Sequence, residues 1–276
     1  AVRKTITTEN GCQIINLWFR RRLDELKASG ALEALNTQKD SSKREHQEDF
    51  RRYCQYVKEH AARPPPDGPI PYATYSPKDF DIALVRQLDN EPNLIHEIKT
   101  IDQCCQVYHV SNILTPASLR IVQDYIRYGI DKGIFSLGDR QAQRYKIRDD
   151  VVSRIVQYYL QPVIEEVVGR RLVPTYTYLS AYVDGADLPP HTDNPDCQFT
   201  VSFVVNKNPA DLYYPIYVDK TRQEVKYRGR YDRCPDKAGA IEIDCPVNDA
   251  MIFSGIDHIH WRENLKGQYT TLLLHY

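Results

Sequence analysis

The residues of this chain best suited to chemistry are two histidines and an aspartate. His191 and Asp193 lie in Leu188-Pro189-Pro190-His191-Thr192-Asp193-Asn194-Pro195, after a predicted strand. On extended backbone the side chains at i and i+2 share a face, so one imidazole and one carboxylate converge on a point. A third ligand is available in Ile256-Asp257-His258-Ile259-His260-Trp261-Arg262, from either His258 or His260. Two histidines and one carboxylate on one side of an ion leave positions open on the other. That arrangement suits ferrous iron that must bind a cosubstrate and dioxygen. An isolated His-x-Asp also arises as a surface pair or a satisfied core histidine. This one lies between two predicted strands, and its third partner comes from a later strand-end loop. The strand between them, from Phe199 to Val205, is apolar enough to be a core wall.

These residues need a scaffold, and the sequence changes character along its length to supply one. Helical spacing of apolar residues runs from Gln13 to Leu32, and a second helix is predicted from about Gln47 to Ala62. Arg63-Pro64-Pro65-Pro66-Asp67-Gly68-Pro69 must break it. The expected organisation is a helical N-terminal extension over 1–63, a proline-rich connection over 64–100, and the functional domain over 101–276. Thr115-Pro116 reads as a helix N-cap with proline at the first position, opening a helix to about Tyr128. A further helix is predicted from Asp149 to Val168, stopped by Gly169. From Pro174 on, the pattern turns to alternating or continuous apolar runs. Strands are predicted at Tyr176–Val183, Phe199–Val205, Leu212–Val218, Ala240–Ile243, Ala250–Ser254 and Thr270–Tyr276. Helices first and six or more strands after argue for an α+β fold, a small barrel or sandwich backed by helices.

Composition excludes several classes. The chain of 276 residues is 42% hydrophobic and 26% charged with a net charge of −1, so nothing global attracts nucleic acid or an anionic membrane. Arg20-Arg21-Arg22 and Arg51-Arg52 have acids nearby and read as solvated helix faces. No run is long and apolar enough to span a membrane, and the first residues hold no apolar signal core; a cytoplasmic location is expected. Seven cysteines without a C-x-x-C pair fit reduced, buried thiols rather than a zinc site or a disulfide framework.

Two strings resemble the Fe(II)- and 2-oxoglutarate-dependent dioxygenases, in their prolyl-4-hydroxylase-like branch. The first is Tyr182-Val183-Asp184-Gly185 followed by His191-Thr192-Asp193. The second runs from Gly255 through His260-Trp261-Arg262, Leu265 and Gly267 into Thr271-Leu272-Leu273-Leu274-His275-Tyr276. The resemblance covers about residues 100–276. It implies a double-stranded β-helix with the site at one mouth, Fe(2+) held by His191, Asp193 and His260, 2-oxoglutarate as cosubstrate, O2 as oxidant and ascorbate as a candidate reductant. It favours His260 over His258 as the ligand, leaving His258 for the pocket or the surface. An acid ligand such as Asp193 is compatible with hydroxylation and argues against halogenation.

The chain departs from the family pattern at one place. The strand after the last histidine carries no basic residue near Tyr269 to Thr271, where the family holds the far carboxylate of 2-oxoglutarate. The substitute expected here is Arg262, assisted by Tyr182, Tyr178 and the Thr271 hydroxyl; a salt bridge of Arg262 to Glu263 or Asp257 is the structural alternative. Asn194, Trp261 and Tyr269 join His258 as candidate pocket residues. The tyrosine- and arginine-rich segment from Asn206 to Lys237 is a candidate substrate lid or a solvated hairpin. The leading expectation is oxidation of an unactivated C–H bond in a small molecule, amino acid or natural-product intermediate. Alternatives are an iron oxidase of the same fold without 2-oxoglutarate, a hydroxylase of peptide or protein side chains, and a non-catalytic metal-binding module.

Overall fold

The computed structural model describes residues 77–89, 96–138, 142–223, 229–231 and 234–276. The helices expected at Gln13–Leu32 and near 47–62 lie outside them. Among the described residues there are three α-helices: α1 (Pro77–Asp89), α2 (Pro116–Asp131) and α3 (Val151–Val168). α2 begins as its sequence dictates. Thr115 caps it, its side chain accepting from the Ser118 N–H, with Pro116 at the first turn. Asp150 caps α3 in the same way, and Gly169 ends it in the left-handed conformation at φ 68°. α1 was not foreseen, and it falls within the stretch read as a proline-rich connection. It packs on α2 and α3, burying Phe80, Leu84 and Val85.

Thirteen strands among the described residues form two antiparallel sheets. The larger contains β1 (Glu97–Asp102), β2 (Val107–Ser111), β3 (Ser136–Leu137), β4 (Arg144–Arg148), β5 (Thr177–Tyr182), β7 (Thr200–Asn208), β11 (Ala250–Phe253) and β13 (Gln268–His275), in the order β1-β2-β11-β7-β13-β5-β4-β3. The smaller contains β6 (Leu188–Thr192), β8 (Ile216–Arg222), β9 (Gly229–Arg230), β10 (Ala240–Ile243) and β12 (His258–Arg262), in the order β10-β8-β12-β6-β9.

Alternation along the strands of the large sheet separates two faces. Leu179 and Ala181 of β5, Val201 and Phe203 of β7, Ile252 of β11, and Leu272 and Leu274 of β13 join the helices in one buried core. The intervening residues, among them Tyr178, Tyr182, Thr200, Ser202, Thr271 and His275, face a cavity between the sheets. One side of the sheet therefore anchors the helices, and the other presents polar groups toward the smaller sheet.

Two elements differ from expectation. Leu188–Thr192 and His258–Arg262, read as strand-end loops, are paired strands. Pro189 and Pro190 hide the first. Arg262 pairs with Leu188 and His260 with His191, so β6 carries one more residue than β12 between these pairs. The prolines fall in that bulge, where a missing N–H costs least. Their carbonyls are used: Pro190 accepts from the Tyr231 N–H at 2.9 Å. The segment from Asn206 to Lys237, read as a lid or hairpin, supplies β8 and β9 of the smaller sheet.

Candidate metal centre and its cavity

His191 and His260 are partners across the β6–β12 ladder, with ring centroids 4.2 Å apart. Asp193 follows β6 and turns its carboxylate toward both. Its Oδ1 lies 3.8 Å from His191 Nε2 and 3.6 Å from His260 Nε2. The ligand atoms of the three residues all lie within 4.8 Å of one another.

Each of these side chains is fixed by a second contact. His191 Nδ1 is 2.9 Å from the Pro189 carbonyl and His260 Nδ1 is 3.1 Å from the His258 carbonyl. A carbonyl can only accept, so both rings carry a proton on Nδ1 and turn Nε2 toward Asp193. Thr200 donates to Asp193 Oδ2 at 2.5 Å, which leaves Oδ1 for the shared point. The Asp193 N–H donates to the Gly255 carbonyl at 2.8 Å. The Thr200 hydroxyl also meets His275 Nδ1 at 3.0 Å, linking β13 to the carboxylate.

Charge follows the geometry. Burial, then the neighbouring His260, pushes the His191 pKa down to about 3, so the ring is neutral and able to ligate at neutral pH. Burial alone would raise Asp193. The combined pull of His260, His275 and His191 overrides it and holds the carboxyl well below the usual range. Two imidazoles and one carboxylate, each braced by a second partner, fit a divalent first-row metal with open positions.

The triad opens on a cavity of about 350 Å³ between the sheets. Leu188, Ile216 and Phe253 give it apolar walls, and Asp193 is its only carboxylate among the described residues. Arg262 lies on β12, two residues beyond His260 on the same face. It is buried, and its Nη1 donates to the Tyr214 carbonyl at 2.5 Å and Nη2 to the Tyr269 hydroxyl at 3.1 Å. The salt bridge considered for it does not form. Glu263 pairs with Lys237 at 2.6 Å and Asp257 with Arg222 at 3.1 Å. Among the described residues no carboxylate neutralises Arg262, so a buried guanidinium is left facing the cavity with neutral partners.

Structural comparison places this architecture. The non-heme alpha-ketoglutarate-dependent epimerase SnoN from nogalamycin biosynthesis superposes with a TM-score of 0.50 at 10% identity, over 70% of this chain and 82% of that one. The fold is a double-stranded β-helix. A prolyl-4-hydroxylase from Pseudomonas putida gives 0.44 at 12% identity, over 70% and 98% of the two chains. A prolyl hydroxylase from Trichoplax adhaerens, in complex with a hypoxia-inducible-factor peptide fragment, gives 0.45 at 14% identity, over 72% and 91%. No family model matches the chain, and no curated protein matches it in sequence.

Within this double-stranded β-helix the remaining expected residues separate into two groups. Tyr178, Tyr182, Asn194 and Thr271 line the cavity with the triad and Arg262. Thr271 also donates to the Phe203 carbonyl at 2.8 Å. His258, Trp261 and Tyr269 are not among the lining residues, which corrects their reading as pocket residues. His258 Nδ1 binds the Asp219 carbonyl at 2.8 Å, and Trp261 stacks on Tyr217 at 5.4 Å. His258 is therefore turned to β8, and Trp261 points away from the cavity by alternation with its neighbours. Tyr269 stands behind Arg262 as its hydrogen-bond partner. From the candidate lid, Tyr214 packs beneath Arg262 with its ring centroid 5.0 Å from the guanidinium carbon.

The structure adds Arg144 and Arg148 of β4, which the sequence reading passed over. Their segment, Arg144-Tyr145-Lys146-Ile147-Arg148, looks like a solvated edge strand, and only its period-two alternation puts both arginines on one face. No described helix is long and apolar enough to cross a membrane.

Proposed function

We propose that this chain is an Fe(II)- and 2-oxoglutarate-dependent oxygenase that oxidises a C–H bond of a small organic substrate. The observation that carries the reading is the pairing of an open His-Asp-His set with an uncompensated buried guanidinium, Arg262, on the same cavity. A metal-binding module needs no such cation. A dicarboxylic cosubstrate does, because a buried anion requires a fixed partner.

In this reading His191, Asp193 and His260 hold the iron, which with 2-oxoglutarate and dioxygen supplies the oxidising power for the C–H bond. The chain's own residues bind, orient and exclude water. The backbone carbonyls of Pro189 and His258 hold the two rings in the tautomer that ligates. Thr200 keeps Asp193 from swinging both oxygens inward. Arg262, itself fixed by Tyr214 and Tyr269, receives the far carboxylate, so the cosubstrate is held between the metal and one rigid strand. Tyr182, whose hydroxyl accepts from Arg144, keeps its own proton to give to the same group, whereas the Thr271 hydroxyl donates its proton to the Phe203 carbonyl. Leu188, Ile216 and Phe253 keep water from the reacting atoms. The cavity volume accommodates a cosubstrate and a small molecule and argues for that class over an extended peptide.

The test is succinate formation from 2-oxoglutarate with ferrous iron and ascorbate, using wild type, Asp193→Ala and Arg262→Gln. Succinate that requires both residues supports the reading. Iron binding without 2-oxoglutarate binding by calorimetry overturns it and leaves an oxidase that draws its electrons from substrate.

A further inference from the structure

The cavity is lined by arginines beyond the one that holds the cosubstrate. Besides Arg262 on the smaller sheet, two guanidinia reach it from the larger one, Arg144 and Arg148 at the two ends of β4. Each is laid on tyrosines of the neighbouring segment. The Arg144 guanidinium carbon lies 4.8 Å from the Tyr178 ring centre and 5.4 Å from that of Tyr182. That of Arg148 lies 4.0 Å from the ring centre of Tyr176. Arg144 is buried and donates to the Tyr182 hydroxyl at 2.8 Å. Arg148 gives its Nε to Asp149 at 3.2 Å, and among the described residues no acceptor meets its two Nη groups. Asp149 is tied down in turn, accepting from the Thr177 N–H at 2.8 Å.

Placement separates Arg148 from Arg262, while Arg144 is joined to the Tyr182 hydroxyl. Arg262 follows His260 along β12 and lies deep between the sheets, opposite Leu188. Arg148 is partly exposed and belongs to the mouth of the cavity, on the side of Tyr176 and Asn194. A dicarboxylate held at the metal and at Arg262 has no carboxylate left for β4. Guanidinia stacked on aromatic rings lose little freedom when an anion arrives, and their forked donors match an oxyanion.

We propose that Arg144 and Arg148 form a second oxyanion subsite, and that the substrate of this enzyme carries a carboxylate or phosphate seated there. The substrate part of this inference rests on the oxygenase reading; the subsite itself does not. Binding of the anion at β4 sets which end of the substrate lies toward the metal, so the pair determines specificity and orientation rather than chemistry.

The experiment uses the full chain loaded with Mn(II) and saturated with 2-oxoglutarate. Three matched probes are titrated: phenylacetate, phenyl phosphate and phenylacetamide. Paramagnetic broadening of their proton NMR signals reports binding beside the metal. The expected result is broadening of at least one anion and none of the amide, and the anion that responds names the substrate group. In Arg144→Gln/Arg148→Gln the apparent affinity for that anion falls at least about tenfold, while 2-oxoglutarate binding persists. Arg148→Gln alone, at a partly exposed position, gives the same direction if the double variant fails to fold. Equal broadening by acid and amide, no broadening by either anion, or an unchanged response in the variants overturns the subsite. So does loss of 2-oxoglutarate binding in folded variants, because β4 would then anchor the cosubstrate. Failure of wild type to bind 2-oxoglutarate defeats the oxygenase reading instead, and the same titration without it still decides the subsite.

Discussion

Gly255 has no side chain because Asp193 occupies the space one would need. A Cβ built at Gly255 would lie 2.0 Å from Asp193 Oδ2 and 2.7 Å from Thr200 Oγ1. The Gly255 carbonyl meanwhile holds the Asp193 N–H. The backbone at 255 thus presses the carboxylate against Thr200 and into the line of the two histidines. Substitution by alanine must displace Asp193, since the backbone of β11 and β12 on either side is locked in paired strands. Gly255→Ala is expected to weaken Fe(II) or Mn(II) binding by about 10–100-fold, the usual cost of disturbing a ligand's support, with the far-UV circular dichroism spectrum retained. Calorimetric metal titration checks this; unchanged affinity would show that the carboxylate is free to move.

Thr200 acts on the same carboxylate from the other side. Its hydroxyl holds Oδ2 and meets His275, so Thr200→Val keeps the shape and removes the hydrogen bond. Metal affinity should fall by about tenfold, and Thr200→Ser should restore most of it. Affinity equal to wild type in Thr200→Val would remove the hydroxyl from the account of the site.

How much of this could be read beforehand depends on what each residue does twice. His191, Asp193 and His260 were legible because ligand chemistry restricts residue types and extended backbone fixes their spacing. The large-sheet strands were legible because one face packs on helices and must be apolar, as Val201, Phe203, Leu272 and Leu274 are. The smaller sheet was harder. β12 reads His-Ile-His-Trp-Arg because Ile259 and Trp261 pack with Tyr217 while His260 and Arg262 serve the cavity; the alternation is there, but only two of its five residues are apolar, so it does not stand out as a strand. β6 was masked by prolines sitting in a bulge. Arg144 was missed for a related reason: a buried cation on a cavity wall is spelled like a solvated one, and only β4 pairing with β5, Arg144 opposite Tyr182, turns it inward.

Arg262 and Tyr269 bear on cosubstrate affinity in different ways. Arg262→Gln removes the charge and should raise the 2-oxoglutarate dissociation constant by at least about 30-fold. Tyr269→Phe removes only the hydroxyl that steadies Nη2, and should raise it severalfold. Both are read by calorimetry on the metal-loaded chain, with metal affinity as the control that must not move. An equal effect of the two would mean that packing at Tyr269, not charge at Arg262, governs binding.

Stability of the metal-free chain should depend on pH through the buried histidines. Burial lowers the pKa of His191 to about 3 and of His275 to about 4. An unfolded histidine titrates near about 6.5, so between these values the unfolded chain binds more protons than the folded one. Stability is then complete above about pH 6.5 and declines as pH falls toward the folded values. At pH 5 each histidine costs on the order of 2 kcal/mol relative to neutral pH. His275→Gln keeps a polar partner for Thr200 and cannot be protonated, so it should remove about half of that decline. Urea midpoints at pH 7.5 and pH 5 for the two proteins measure it directly. Asp193, with its carboxyl held low, adds a further loss only below the ordinary carboxylate range, so it does not blur this window. The raised carboxyls of Asp149 and Asp150 run the other way: burial favours their protonated form, so they gain as pH falls through their folded pKa values. Replacing His275 leaves both acids in place, so the difference between the two proteins isolates the histidine. A parallel decline in His275→Gln would mean that its imidazole is charged when folded, and that Thr200 donates to Asp193 against a cation rather than a neutral ring.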